Sequence, residues 1–246
     1  MRIALLSDIH ANLQALQSCL DDARTNGATR FVFLGDFVGY GADPGGVIDV
    51  IAQYVAEGAI AVRGNHDEAI YGSSIYMNDM AMSAINYAKR VLTPAQITFL
   101  QNLPMIVREE TCCFVHASAA SPEKYPYVDS PTAAERCAEA SELPHTFCGH
   151  VHEQRLYFAA PGPRMTTFRP TPGVAVPVPA HRRWVALVGS VGQPRDRNPK
   201  AAYAIFDTEQ VSITFCRVPY DHRAAAARIR EVGLPESIAY RVESGI

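Results

Sequence analysis

Three short apolar runs, at 3–6, 31–34 and 59–62, recur at nearly equal intervals along the first quarter of the chain. The runs are continuous rather than alternating, which is typical of parallel strands that are buried on both faces. Each interval is close to the roughly 30 residues that one βαβ unit needs. The repeat therefore predicts three parallel strands joined by helices.

A polar motif follows each of these runs directly. Asp8 and His10 follow the first run, Asp36 follows the second, and Asn65 and His66 follow the third. Asp36 lies 28 residues after Asp8, and Asn65 lies 29 residues after Asp36. Because parallel strands end at the same edge of a sheet, where open α/β sheets place their ligand sites, we expect the motifs to meet there.

More histidines follow apolar runs in the second half of the chain. His116 comes after the run at 112–115, and His150 and His152 come after the run at 146–148. This half is mostly strand-like, with a proline-rich loop or irregular hairpin at 161–179 that we expect to shape the pocket. We predict one α/β domain over residues 1–246, built from two packed sheets.

The last helix is predicted to begin after Asp221, a typical N-cap residue, and to end at Gly233 and Pro235. Residues 68–103 are predicted to be helical, with one segment from Met77 to Val91 and a second that begins at Thr93 and Pro94.

Composition narrows the classes of function. The chain has 246 residues, a net charge of −3 and six cysteines without CxxC spacing. There is no basic field for a nucleic-acid-binding surface, and no apolar stretch approaches the ~20 residues of a membrane helix. The cysteines are expected to be reduced core residues. We therefore expect a soluble cytoplasmic protein.

Seven potential metal ligands follow the predicted strands: Asp8, His10, Asp36, Asn65, His116, His150 and His152. Imidazole and carboxylate ligands suit Zn, Mn, Fe or Ni, and the absence of cysteine argues against a structural zinc site. Seven ligands are too many for one ion with an open position. They suit two ions bridged by one carboxylate, as in hydrolases whose metals lie about 3.5–4 Å apart.

Other types of site fit the sequence less well. A ferritin-like di-iron site needs Glu-x-x-His on helices, and the segment from Glu142 to His145 contains Pro144. The HExxH, G-x-S-x-G and P-loop motifs are absent. Each strand-end motif alone is also compatible with an ordinary polar turn, but five such motifs together favour a metal centre.

The ordered motifs resemble those of the calcineurin-like metallophosphoesterases. They span about residues 1–155, and the segment 189–195 is similar to a further element of the small single-domain bacterial and archaeal members. The resemblance implies a four-layer α/β/β/α sandwich with two mixed sheets flanked by helices. It also implies two ions that share Asp36: one bound by Asp8, His10, Asp36 and His152, the other by Asp36, Asn65, His116 and His150.

The resemblance further implies a hydrolytic mechanism. A metal-bound hydroxide would attack the phosphorus of a phosphodiester, a phosphomonoester or a dinucleoside polyphosphate. His66 would remain off the metals and protonate the leaving oxygen, oriented by Asp67. The ions would be divalent transition metals, Mn, Fe, Zn, Ni or Co, and the partner a small phosphate ester or nucleotide.

Several residues near the motifs are candidate substrate contacts. Arg63 and Arg195 are candidate phosphate clamps, although both also suit structural roles. Ser118 is a candidate contact that is equally typical of a loop hydroxyl. Tyr127, like Tyr40 and Tyr125, is a candidate for base stacking or for ordinary packing.

Two alternatives remain open from the sequence. Protein serine/threonine phosphatases of the resembled superfamily carry Gly-Asp-x-Val-Asp-Arg-Gly, whereas residues 35–41 read Gly-Asp-Phe-Val-Gly-Tyr-Gly and lack the arginine. A non-catalytic scaffold with the same fold would be expected to have lost a ligand or His66, and all of these are present.

Overall fold

The computed structural model describes residues 1–72, 77–159 and 164–246. Its strands are β1 Arg2–Leu6, β2 Arg30–Phe33, β3 Ile60–Ala61, β4 Ile106–Glu109, β5 Cys112–Val115, β6 His145–Cys148, β7 Gln154–Ala159, β8 Met165–Phe168, β9 Ala175–Pro177, β10 Trp184–Val188, β11 Ala201–Asp207 and β12 Ser212–Val218. Its helices are α1 Leu13–Thr25, α2 Pro44–Ala56, α3 Asn65–Glu68, α4 Asp79–Val91, α5 Pro94–Asn102, α6 Pro131–Ser141, α7 His222–Glu231 and α8 Glu236–Ser244.

The first sheet has the strand order β3-β2-β1-β11-β12-β9. As the spacing of the apolar runs predicts, β1, β2 and β3 are parallel, with Leu5 beside Val32 and Val32 beside Ile60. The remaining pairs are antiparallel, beginning with β11 against β1. The sheet is therefore mixed, and the polar motifs after β1, β2 and β3 lie at the same edge.

The second sheet has the strand order β4-β5-β6-β10-β7-β8. Its central strands β5, β6 and β10 are parallel, with Phe114 beside Phe147 and Cys148 beside Leu187. The segments that follow these three strands carry His116, His150 and residues 189–195. The parallel pairing therefore brings them to a single edge as well.

The two sheets pack face to face through large apolar side chains such as Leu5, Phe114, Phe147 and Phe206. Helices α1 and α2, backed by α4 and α5, cover the outer face of the first sheet, and α6 covers the outer face of the second. This is a layered α/β architecture of two mixed sheets flanked by helices, which confirms the predicted fold class.

The structure corrects two predicted details. The segment 161–179, predicted to be a loop or an irregular hairpin, contains two strands that do not pair with each other: β8 pairs antiparallel with β7 in the second sheet, whereas β9 pairs with β12 in the first. The last helix is not α7, because α8 follows it and begins directly after Pro235. Residues 73–76, within the predicted helical stretch, and 160–163, which include the start of the proline-rich segment, lie outside the described residues.

Backbone hydrogen bonds between loops fasten the two sheets together at the edge that carries the motifs. The Asp8 amide donates to the Gly35 carbonyl at 3.0 Å, within the first sheet. The Val191 amide, which follows β10, donates to the Ser7 carbonyl at 2.9 Å, across the two sheets. Buried amides and carbonyls need such partners, so these bonds fix the relative positions of the loops.

The Asp67 carboxylate fastens the loop that follows β2. It accepts hydrogen bonds from the amides of Gly64 at 2.9 Å, Asp36 at 2.8 Å, Phe37 at 2.8 Å and Val38 at 3.3 Å. Burial and the neighbouring Asp36 carboxylate raise the pKa of Asp67 to about 7, although the backbone donors favour the charged form. The loop that carries Asp36 is therefore fixed to the start of α3.

Replacing Asp67 by Asn is expected to destabilise the protein, because the amide group has one acceptor oxygen where the carboxylate has two. Each buried amide left without an acceptor costs about 1–3 kcal/mol, so we expect the free energy of unfolding to fall by at least about 2 kcal/mol. Urea denaturation measures the change. The matched control is Asp21→Asn, since Asp21 is an exposed surface carboxylate paired with Arg24. Equal stability of the two variants would contradict this account of Asp67.

Candidate metal centre

Three histidine rings are oriented by backbone carbonyl groups. His10 Nδ1 lies 3.1 Å from the Val38 oxygen, His116 Nδ1 2.7 Å from the Leu34 oxygen, and His152 Nδ1 2.7 Å from the Gln193 oxygen. A carbonyl only accepts, so Nδ1 carries a proton in each ring and Nε2 is the nitrogen left to face the site. In His10 and His152, whose pKa values are lowered by burial, Nε2 presents a lone pair. Metal-binding histidines are commonly held in this way, and all three Nε2 atoms face the same buried space.

The contact between His10 and His152 fits a shared cation. Their Nε2 atoms lie 3.1 Å apart, and each is the acceptor nitrogen of its ring. Two acceptors cannot hydrogen-bond to each other, and burial lowers the pKa of both rings well below the ordinary value, so neither ring supplies a proton. A divalent ion coordinated by both nitrogens removes this repulsion.

Asp36 occupies the centre of the cluster. Its Oδ2 atom lies 3.7 Å from His10 Nε2 and 3.4 Å from His116 Nε2, whereas Oδ1 accepts the His66 amide at 2.9 Å. Burial alone would raise the pKa of Asp36, but His116 and His66 outweigh it and hold the pKa well below the ordinary value. The carboxylate is therefore charged and faces histidines from both sheets.

The side chains form two groups around this carboxylate. Within each group the potential ligand atoms lie within 4.8 Å of one another: Asp8, His10 and His152 in one group, and Asp36, His116 and His150 in the other. Asn65 joins the second group, since its Oδ1 atom lies 3.3 Å from His116 Nε2. The structure therefore brings together all seven side chains that the sequence nominates as metal ligands.

Among the four histidines of the two groups, only His116 favours its positively charged form. Burial raises the pKa of Asp8 to about 7, and Asp36 adds to the effect. Burial also lowers the pKa of His150 to about 3. For His116, burial opposes the charged form, but Asp36 outweighs it and raises the pKa to about 9. Divalent cations would supply the missing charge, so the residues fit metal ions.

Backbone strain is concentrated at the same residues. Asp8, His10, Asp36, His150 and His152 all have positive φ angles, between 48° and 66°. Residues with side chains rarely adopt this conformation, which costs about 1–3 kcal/mol at each strained position. Five of the predicted ligands share this conformation. The loops therefore orient these side chains toward the site at a cost in stability.

His66 lies beside the first group. Its ring centroid is 4.8 Å from that of His10 and 4.8 Å from that of Tyr40, and its Nε2 atom is 3.9 Å from Asp36 Oδ2. Burial lowers its pKa. His66, His10 and Asp36 also form a potential ligand group, so the ring lies close enough to act on anything bound at Asp36.

Asp67 does not hydrogen-bond to the His66 ring, and Arg63 has the contacts of a structural arginine. Asp67 was expected to orient His66, but its carboxylate accepts the four backbone amides described above, and His66 Nδ1 has no hydrogen-bond partner among the described residues. The Arg63 guanidinium donates to the Tyr71 hydroxyl at 3.0 Å and lies 3.7 Å from Glu68. Asp67 therefore supports the backbone around α3, whereas Arg63 binds two side chains at and beyond the end of that helix.

Three of the candidate substrate contacts, Arg195, Tyr127 and Ser118, fall in different environments. Arg195 borders the cluster, where its charge helps to lower the pKa of His10, His66, His150 and His152. Tyr127 is exposed and stacks on His150. Ser118 is buried, and its hydroxyl accepts the Ala120 amide at 3.2 Å, which is the ordinary loop role.

Sequence reasoning missed the groups that hold the ligands in place. The carbonyls of Leu34, Val38 and Gln193 orient three rings, and backbone atoms leave no signature in a sequence. Arg169, in the proline-rich segment, pairs with Glu153 at 2.9 Å, and Glu153 follows His152 in the chain. Among the described helices, none combines the length and the apolar character needed to cross a membrane.

Comparisons with known proteins agree with this geometry. A family model described as the calcineurin-like phosphoesterase superfamily domain matches residues 1–211. An uncharacterized protein of Methanocaldococcus jannaschii is 32% identical over 263 residues, which cover 99% of this chain and 98% of that protein.

Solved structures show the same relationship. A metallophosphoesterase from Sphaerobacter thermophilus is 32% identical, with 100% of both chains covered and a TM-score of 0.88. A hypothetical protein of Pyrococcus horikoshii OT3 shares the fold at 20% identity, with 100% of this chain and 98% of that chain covered and a TM-score of 0.79. The chain therefore belongs to the calcineurin-like phosphoesterase superfamily and is an enzyme that hydrolyses phosphate esters.

Proposed function

We propose that this enzyme hydrolyses its phosphate ester with two divalent transition-metal ions that share the Asp36 carboxylate. Asp8, His10 and His152 complete the site of one ion, and Asn65, His116 and His150 complete the site of the other. The observation that carries the proposal is the position of Asp36 Oδ2, between His10 Nε2 at 3.7 Å and His116 Nε2 at 3.4 Å. Imidazole and carboxylate ligands suit Mn, Fe, Zn, Ni or Co.

The ligand set favours an anionic substrate. When bound, the ions supply positive charge and lower the pKa of a coordinated water enough for attack at neutral pH. Asp8 and Asp36 neutralise only part of that charge, and Asn65 adds none because its amide is neutral. The remaining positive charge favours a phosphoryl group between the two groups of ligands.

His66 is the proposed general acid, and Arg195 the proposed phosphate contact. Burial lowers the pKa of His66, so the negative charge of the bound phosphate has to favour its protonated form. Arg195 lies where its charge reaches His66 and His152. A guanidinium suits phosphate because its N–H donors form a planar fork.

The setting we propose is the cytoplasm, with a small phosphate ester or nucleotide as the substrate. All six cysteines are free thiols, which supports a reducing compartment. Five of them are buried, as expected for core residues.

Replacing Asp36 by Asn is expected to reduce phosphoesterase activity by at least about 10²-fold, because the variant lacks the charge that balances both ions. Turnover of p-nitrophenyl phosphate and bis-(p-nitrophenyl) phosphate under Mn, Ni, Co and Zn measures the loss. Bound metal, measured by mass spectrometry, is expected to fall in parallel. Asp21→Asn is the control, and wild-type turnover by Asp36→Asn or by metal-free protein would disprove the proposed function.

Replacing His66 by Gln is expected to preserve metal content and to reduce turnover according to the leaving group. A general acid typically contributes about 10²–10⁴-fold, so we expect a loss of that size on an alkyl ester. The loss on a p-nitrophenyl ester is expected to be much smaller, since that leaving group departs without a proton. The control is His181→Gln, at an exposed histidine. Equal losses on both esters would argue against an acid, and loss of metal would identify His66 as a ligand.

A further inference from the structure

An exposed aromatic ring borders the second group of ligands. Tyr127 is 54% exposed, and its ring stacks on that of His150 with the centroids 4.2 Å apart and the planes at 25°. His150 belongs to the second group of ligands, with Asp36 and His116. The Tyr127 ring therefore extends the wall of the site beyond the ligands.

The exposure of Tyr127 does not come from a loosely held loop. On one side, Tyr125 is buried, and its hydroxyl donates to Glu68 at 2.7 Å. On the other side, Val128 is 1% exposed, and its carbonyl accepts the Tyr157 hydroxyl at 3.3 Å. The backbone is therefore fixed on both sides of Tyr127, while the large ring of Tyr127 remains exposed to solvent. A ring held in this position is suited to contact a ligand.

His66 and Tyr127 contact different histidines of the site. His66 packs against His10 and Tyr40, beside the first group of ligands. Tyr127 packs against His150, in the second group. A phosphate bound between the groups would have one ester oxygen nearer His66 and the other nearer Tyr127. The oxygen near the proton donor is the one that leaves.

We propose that Tyr127 determines specificity by stacking on a flat aromatic group, such as a nucleobase, in the retained ester substituent of a phosphodiester. This inference rests on the proposed function, with His66 as the general acid. Water forms the new bond to phosphorus, the ester P–O bond on the His66 side breaks, and the leaving oxygen takes the His66 proton. The proton released by the water restores His66. The product that stays beside Tyr127 is a phosphomonoester with its aromatic group.

Two diesters with the same leaving group test the proposal. The p-nitrophenyl ester of thymidine 5′-phosphate retains a nucleoside, whereas methyl p-nitrophenyl phosphate retains only a methyl group. We expect Tyr127→Leu, in the metal-loaded full chain, to lower the kcat/KM ratio of the thymidine ester to the methyl ester by about 10-fold, mainly through KM, as expected for one lost stacking contact. Tyr127→Phe keeps the ring and is expected to keep the ratio. Tyr240→Leu, at a residue that is 56% exposed on α8, is the control.

The other outcomes overturn the inference in distinguishable ways. An equal loss on both diesters, or loss of bound metal from Tyr127→Leu, would show that the ring only supports His150. A Tyr127→Phe variant as impaired as Tyr127→Leu would assign the effect to the hydroxyl group. Turnover of p-nitrophenyl phosphate without turnover of either diester would overturn the inference and leave the proposed hydrolase intact. No turnover of any of the three compounds would overturn both.

Discussion

The site depends on one buried carboxylate that lies between histidines from two sheets. Asp36 follows β2 in the first sheet, and its Oδ2 atom faces His10 from the same sheet and His116 from the other. Two hydrogen bonds fix its position. The His66 amide donates to Asp36 Oδ1, and the Asp36 amide donates to the Asp67 carboxylate. Both the charge and the shape of the centre follow from this arrangement.

Crowding around Asp36 also explains why the neighbouring loops carry glycine and strained residues. A Cβ atom at Gly64 would collide with the Asp36 carboxylate, and one at Gly149 would collide with Ser7 and Asp8. The backbones of the two sheets approach this closely because their loops exchange hydrogen bonds. The strain at the predicted ligands is offset by the packing between the sheets, where Leu5, Phe114 and Phe147 are almost completely buried.

The convergence of Asp8, Asp36 and Asn65 was predictable because a βαβ unit leaves little freedom in where the next strand ends. The role of Asp67 was not. In sequence it stands beside His66, but in three dimensions its partners include amides about 30 residues away. Pro235 is compatible both with the end of one helix and with the start of the next, and α8 begins directly after it. The strands β8 and β9 join different sheets, and the sheet that each one joins depends on which edge strand is available for pairing. The local sequence pattern does not contain that information.

The central claim is that two ions share Asp36. Anomalous diffraction from crystals of the manganese-loaded protein tests it directly. The account predicts two peaks about 3.5–4 Å apart, both coordinated by Asp36, with Asn65 bound to one of them and His66 bound to neither. A single peak, or two peaks without Asp36 between them, would contradict it.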